Sequence, residues 1–356
     1  MKKQLEYGMR CLLLLALLVG LAGCTNPLDR FTATDEPGIN GEITIYTPLY
    51  EEQTTPYLRL FRAKYPNIQI NLVLLDNSQI YDRLLAERDE PQADVLWGLS
   101  ATMVALLEWQ DVLIPYAPEG LQRIYPQFRD SNNPPYWVGF GAWMSAFCVN
   151  MELLESLGLP KPESWINLFD PIYAEQIALP SPMTSDTGYM ITIAMLEFYG
   201  EIQGWENLDA LDKNVKIYTT SSEESCAMAA QGEVAIGVSY DLAALESAAA
   251  GEPVEAVFAT EGAGWDIETN ALVRKDEMRE VSKLFLDWAI SDEAMQAYSE
   301  SRALLGMPLE GHTPPAGFPQ EPLQLIYDKD FPWASANWDR ITTEWLKRYG
   351  GKLGGQ

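Results

Sequence analysis

Histidine is almost missing from this 356-residue chain, and basic residues are few. The single histidine, His312, lies in the Pro/Gly-rich loop GHTPPAGFP, where a surface position is expected. Without a second histidine, a zinc site built from several histidines cannot be assembled. The sequence also has no G-x-S-x-G elbow and no zinc motif, which argues against a secreted hydrolase on an α/β scaffold. Lysine and arginine number 24 against 51 aspartates and glutamates, a net charge of −27. That balance argues against nucleic acid and anionic membrane surfaces as partners. An anionic ligand would have to be held by local geometry, because the global field repels it. Beyond residue 23 there is no apolar run long enough to cross a bilayer.

What is present begins with a targeting segment. Lys2, Lys3 and Arg10 form a charged start, and Cys11 to Gly23 is an apolar stretch too short for a bilayer. It ends in Leu21-Ala22-Gly23-Cys24, which looks like a bacterial lipobox. Cleavage before Cys24 and lipidation of its sulfur are expected, giving an extracytoplasmic protein anchored to the membrane at Cys24. Two cysteines then remain, Cys148 and Cys226. The compartment permits a disulfide, but their spacing is silent and both lie in apolar surroundings, so two separate buried thiols are expected. Residues 24–40 read as a polar tether. The remaining chain is long enough for two lobes with cores of their own. It shows no internal repeat.

Strand and helix alternate from the tether onward. Glu42–Tyr46, Ile68–Leu74 and Ala93–Trp97 read as strands, and Tyr57–Tyr65 and the run Ile80, Leu84, Leu85 as amphipathic helices. This pattern predicts an α/β body with largely parallel sheets, in which ligands sit beyond the carboxyl ends of the strands. WMSAFCVN, within Tyr136–Asn150, is long enough to pass between lobes, and Thr269–Val273 (TNALV) is a candidate return crossing. The rest of the chain is organised around Ala178–Leu196. There a short apolar run, Ile177–Leu179, feeds a hydroxyl-rich loop (Ser181, Thr184, Ser185, Thr187, Gly188) into a helix carrying Tyr189, Ile193 and Leu196. Such a turn leaves backbone N–H groups unpaired at the positive end of a helix, which suits an anion or a polar ligand head as well as ordinary N-capping. Near the end, tryptophan- and proline-rich helices lead to GGKLGGQ, expected to be flexible.

Seven segments, in order, resemble one family: FRAKYPNI, ADVLWGLS, SWINLFDPIY, SPMTSDTGYM, GEVAIGVSYD, PVEAVFATEG and FLDWAISDEAM. They are similar to solute-binding proteins of bacterial ABC importers in the ferric-iron, 2-aminoethylphosphonate, phosphoglycerate and hexose-phosphate group. The resemblance implies a two-lobed type II periplasmic-binding-protein fold, with mixed, largely parallel sheets joined by two crossing strands. Lobe 1 would comprise 41–147 and 272–310 and lobe 2 would comprise 148–271, with C-terminal helices at 311–356 packed on both. It implies a monomeric binding protein, not an enzyme, with no cofactor, that hands a small molecule to an inner-membrane permease. Its ligand residues would be Thr47, Tyr50, Ser100, Thr184, Ser185, Thr187, Gly188, Tyr240, Asp241, Glu261 and Trp265. Hydroxyls and helix N-termini would hold a phosphonate or phosphate, while Asp241 and Glu261 would face an ammonium group or sugar hydroxyls. No resident metal is expected; if the cargo is ferric iron, Tyr240 and Asp241 would bind it, although the adjacent tyrosines common in iron-binding members are missing. Asp186 stands where the family usually has glycine, and a carboxylate there weakens an anion site unless it turns away. No arginine falls in these loops to pair with a doubly charged phosphate. A role in signalling to a membrane sensor fits the same residues.

Overall fold

The computed structural model describes residues 38–354 except positions 278 and 315, so the leader, Cys24 and most of the tether lie outside the described residues. The chain enters through β1 (Gly41–Thr47), α1 (Glu51–Lys64), β2 (Ile68–Leu74), α2 (Asn77–Ala86), β3 (Val95–Ser100), α3 (Ala101–Trp109) and the short β4 (Leu113–Ile114). β5 (Trp137–Asn150) leads into α4 (Met151–Leu157), α5 (Trp165–Leu168), β6 (Ile177–Pro180), α6 (Asp186–Tyr199) and α7 (Glu201–Asp212). Then come β7 (Val215–Thr219), α8 (Ser222–Ala230), β8 (Ile236–Tyr240), α9 (Asp241–Ala249) and β9 (Val254–Val257). The return passes through β10 (Trp265–Val273), α10 (Glu280–Ala289), α11 (Asp292–Tyr298), β11 (Leu304–Leu305), α12 (Phe331–Ala336) and α13 (Trp338–Tyr349).

Strand order is β2-β1-β3-β10-β5-β8-β6-β7. β1 is parallel to β2 and β3, and β6 is parallel to β7 and β8, as the β-α-β alternation requires. β5 joins the two halves. It is apolar along its length and buried at every position except Trp143, because both faces are covered. Fourteen residues span about 45 Å, enough to serve two sheets in turn. Residues 137–144 pair antiparallel with β10, and Ser145–Asn150 with β8 and β9.

The return path differs from the sequence reading. TNALV lies wholly in the first half, between Leu99–Val95 of β3 and Gly139–Trp137 of β5. The chain crosses just before it, through residues 258–264, where Ser145 N–H donates to the Gly264 carbonyl at 2.8 Å. TNALV resembled a crossing strand because all nine residues of β10 are buried.

Two main cores follow. The first gathers Ile43, Ile45, Trp97, Phe140 and Phe285, with an aromatic nest in which Tyr57, Trp97 and Tyr298 meet edge to face. The second gathers Val149, Trp165, Ile177, Ile193, Tyr218 and Trp345. α12 contributes Phe331 to the first core and Ala334 to the second.

Two further expectations are corrected. Cys148 and Cys226 form a disulfide, with their Cα atoms 5.3 Å apart. Cys148 lies opposite Gly237 in the β5–β8 register, and a Cβ on Gly237 would fall 2.0 Å from the Ser225 carbonyl oxygen. The bare glycine therefore lets α8 settle onto the sheet and bring Cys226 down to Cys148. The apolar surroundings are those of a buried disulfide as much as of buried thiols. The C-terminal segment is also docked: Leu353 bridges Tyr218, and Gly354 N–H donates to the Tyr218 carbonyl at 2.8 Å. For residues 350–354 the Leu353 bridge and the Gly354 hydrogen bond on the edge of β7 outweigh the freedom that the glycines suggest.

Candidate functional site

A cleft of about 520 Å³ opens between the halves, at the carboxyl ends of their strands. From the first half it takes Tyr50, Glu51, Asp76, Asn77, Gln79 and Gly98; from the second, Thr184 to Thr187, Ser221 to Glu223, and Tyr240. The floor is Trp143 of β5 and Glu268 of β10.

The hydroxyl loop after β6 is built as the sequence suggested. Ser185 caps α6, its Oγ accepting from Gly188 N–H at 3.4 Å, and Gly188 is needed because a Cβ there would lie 2.5 Å from the Pro180 carbonyl oxygen. The loop after β7 repeats the design: Ser221 caps α8, with Oγ accepting from Glu224 N–H at 3.2 Å. The two loops meet where Ser185 Oγ and Ser222 Oγ share a hydrogen bond at 2.9 Å. Two N-terminal helix ends and five hydroxyls (Thr184, Ser185, Thr187, Ser221, Ser222) thus face one wall of the cleft, an arrangement suited to an oxyanion.

Carboxylates line the rest. Glu223 Oε1 accepts from Tyr50 Oη of the first half at 2.7 Å and from Tyr240 Oη at 3.1 Å. Burial, reinforced by Glu223, raises both phenols above their ordinary range, so both stay protonated donors. Asp186 accepts from Asn77 Nδ2 across the cleft, and burial lifts its carboxyl to about 6 against the opposing Asn77 bond. Glu268 is neutralised from behind by Arg302, which also donates to Tyr57 Oη at 2.8 Å. No lysine, arginine or histidine lines the cleft among the described residues.

Of the residues named from the sequence, Tyr50, Thr184, Ser185, Thr187 and Tyr240 line the cleft. The other six do not. Thr47 is buried, with Oγ1 accepting from Leu49 N–H at 3.2 Å. Ser100 lies behind Asn77 as the cap of α3, and Gly188 is pressed against Pro180. Asp241 points beneath the floor, taking N–H bonds from Met144 at 3.2 Å and Leu242 at 2.8 Å. Burial, opposed by these bonds, pushes its carboxyl up to about 7. Glu261 faces solvent and accepts from Ile166 N–H at 3.2 Å. Trp265 turns away, donating to the Tyr327 carbonyl at 2.9 Å and packing on Phe331. The pair Tyr240–Asp241 is therefore not assembled as an iron site, because adjacent residues at a helix start diverge. Among the described residues there is no cluster of three or more His, Cys, Asp or Glu placed for a metal.

The sequence reading missed Asp76, Asn77, Ser221, Ser222 and Glu223. A signal existed for four of them: Asp76-Asn77-Ser78-Gln79 is a D-x-x-Q capping box after β2, and Thr220-Ser221-Ser222 follows β7 just as Ser181–Ser185 follows β6; Glu223 had none of its own.

Residues 40–296 match the family model of bacterial extracellular solute-binding proteins. The chain belongs to that family. A probable ABC-transporter periplasmic-binding protein, y4fP of Sinorhizobium fredii, is 25% identical over 269 residues, covering 74% of this chain and 73% of the relative. Among solved structures, the fructose-6-phosphate-bound periplasmic binding protein AfuA of Actinobacillus pleuropneumoniae superposes with a TM-score of 0.76. It is 24% identical, covering 87% of this chain and 99% of that one. Iron-bound HitA of Pseudomonas aeruginosa superposes with a TM-score of 0.73 at 19% identity, covering 85% and 98%. The fold is accordingly that of the two-lobed periplasmic binding proteins, and the chain is a solute-binding protein of the ABC-importer type acting outside the cytoplasm. No helix among the described residues is long and apolar enough to cross a membrane.

Proposed function

We propose that this solute-binding protein works as a monomer tethered through lipidated Cys24, and that it captures a small organophosphonate or phosphate ester bearing a cationic or hydroxylated end. In this reading 41–147 with 265–310 and 148–264 are the closing lobes, the boundary lying at the crossing before β10, 311–356 braces them, and a permease receives the ligand. The observation that carries the ligand assignment is the two-sided chemistry of the cleft. Hydroxyls and helix N-termini at Ser185 and Ser222 lie on the wall of the second half, with the Glu223 carboxylate beside Ser222 and those of Glu51 and Asp76 contributed by the first half. The first set suits an oxyanion and the second an ammonium group or sugar hydroxyls. Native mass spectrometry of the purified mature protein, followed by calorimetry with 2-aminoethylphosphonate, tests it. One site is expected, weakened in Glu223→Gln. Absence of heat with every phosphonate and sugar phosphate rejects the ligand class.

One observation favours ferric iron as a second reading: two phenol oxygens and a carboxylate, Tyr50, Tyr240 and Glu223, converge from opposite walls. Hard oxygen donors of this kind suit a hard cation once the phenols ionise. A tyrosinate-to-iron absorption band on adding ferric citrate would select this reading, and a colourless mixture would dismiss it.

A further inference from the structure

The carboxylate of Asp186 stands in the cleft beside the Ser185 and Ser222 hydroxyls. Asp186 is the first residue of the 14-residue helix α6, directly after the capping Ser185. Its carboxyl oxygen accepts from Asn77 Nδ2 of the opposite lobe. The other end of that amide, Asn77 Oδ1, accepts the Ser100 backbone N–H at 3.1 Å, at the start of α3. Asn77 itself opens α2. Three helix starts, those of α2, α3 and α6, are thus linked through one amide to one carboxylate. The contact has the form of a bound anion, but the negative group is supplied by the chain.

Among the described residues no basic side chain in the cleft wall offsets it. The other ionisable carboxylates there are Glu51, Asp76, Glu223 and Glu268, of which, among the described residues, Glu268 alone has a basic partner, Arg302. Lys329, behind the wall, is committed to Asp266 at 2.9 Å, the Trp265 carbonyl at 3.0 Å and Thr102 Oγ1 at 3.1 Å. An anion held by the Ser185–Ser222 hydroxyls lies beside Asp186 with no intervening cation, and like charges at such range in a partly desolvated cleft repel strongly.

We propose that Asp186 is the specificity-determining residue of this cleft: by supplying its own carboxylate to Asn77, it excludes solutes whose anionic end carries two negative charges. It admits those with one negative charge, or with a compensating cationic group directed at the remaining carboxylates. The inference rests on the proposed ligand cleft and narrows its ligand class. Zwitterions and monoanions are accepted, and dianionic phosphate esters are refused.

Inorganic phosphate at pH 8, largely a dianion, is the probe, and its binding is followed by calorimetry on the full mature chain. The native protein is compared with Asp186→Asn, which keeps an oxygen for Asn77, with Asp186→Gly, and with Asp186→Glu. The neutral variants are expected to bind phosphate at least tenfold more tightly than the native chain, and Asp186→Glu no better than native. Affinities within twofold between native and Asp186→Asn, whether both bind or neither does, overturn the proposal. Should Asp186→Asn fail to give a native melting transition, Asp186→Gly is read by the same criterion. Silence of the native chain toward every organophosphonate would reject the ligand reading above, whereas the phosphate ratio between native and variant decides the role of Asp186 separately.

Discussion

Replacing Lys329 by methionine should destabilise the protein by about 3–5 kcal/mol, the cost of leaving a buried charge unpaired. The Lys329 side chain is fully buried, and its three ammonium bonds all end on the first residues of β10 and the first turn of α3. Its partner Asp266 is also buried and accepts from Ile267 N–H at 2.7 Å and from Thr102 Oγ1. Methionine fills nearly the same volume, so packing changes little and the loss is electrostatic. Asp266 would then be a buried anion with only neutral donors. The double variant Lys329→Met/Asp266→Asn removes both charges and should recover at least half of the loss, since replacing a whole buried pair is often close to neutral. Urea unfolding followed by tryptophan fluorescence reads both. A cost below about 1 kcal/mol for the single variant, or a double variant no better than the single, would refute the assignment of Lys329 as the charge that holds the C-terminal segment beneath the cleft.

Three other expectations are open to measurement. Removing the disulfide as Cys148→Ala/Cys226→Ala, a pair 78 residues apart in sequence, should lower unfolding free energy by about 4 kcal/mol, read against the oxidised native protein in urea. Tyr50→Phe removes the bond to Glu223 across the cleft and should shift the lobes toward opening, with a few-fold loss of ligand affinity and a larger radius in small-angle scattering; an unchanged radius and affinity would count against it. Burial lifts the Asp241 carboxyl to about 7, so the folded state binds the proton more tightly than the unfolded chain. The stability linked to that proton is complete below the ordinary carboxylate range and is lost as pH rises through about 7. Asp241→Asn should flatten this fall between pH 5 and 8 in urea midpoints.

The lobes were legible because their signals are local. Ile43 and Ile45, the capping Ser100, Ser164 and Ser185, and the C-terminal Gly158 each set an element by the chemistry of a few neighbouring residues. The cleft was legible only in part. Strand ends could be listed from the order of elements, but which side chain at each end faces the opening depends on a rotation of about 100° per residue at a helix start. That is why Tyr240 lines the cleft while Asp241, its neighbour, lies under the floor. Glu261 lies within the crossing and Trp265 directly after it, where a one-residue change of face sends a side chain to the opposite surface. The disulfide depended on Gly237, a residue near neither cysteine in sequence, and no spacing rule could have found it.

The same geometry bears on how closure is balanced. Asn77–Asp186 and Tyr50–Glu223 join residues whose backbones belong to different cores, and each such bond contributes about 0.5–1.5 kcal/mol net. In the proposed reading these two bonds supply a weak closing force, which keeps the open and closed forms close in free energy. A ligand then needs only modest differential affinity to shift the population, whereas a stronger latch would hold the cleft shut against entry. Both latches are carboxylates accepting from the opposite lobe. A ligand that brings its own donors to Glu223 replaces the Tyr50 bond and keeps the lobes together, while a ligand that brings a second anion to Asp186 must break the Asn77 bond and forces them apart. Charge selectivity and closure are in this way two consequences of one pair of contacts.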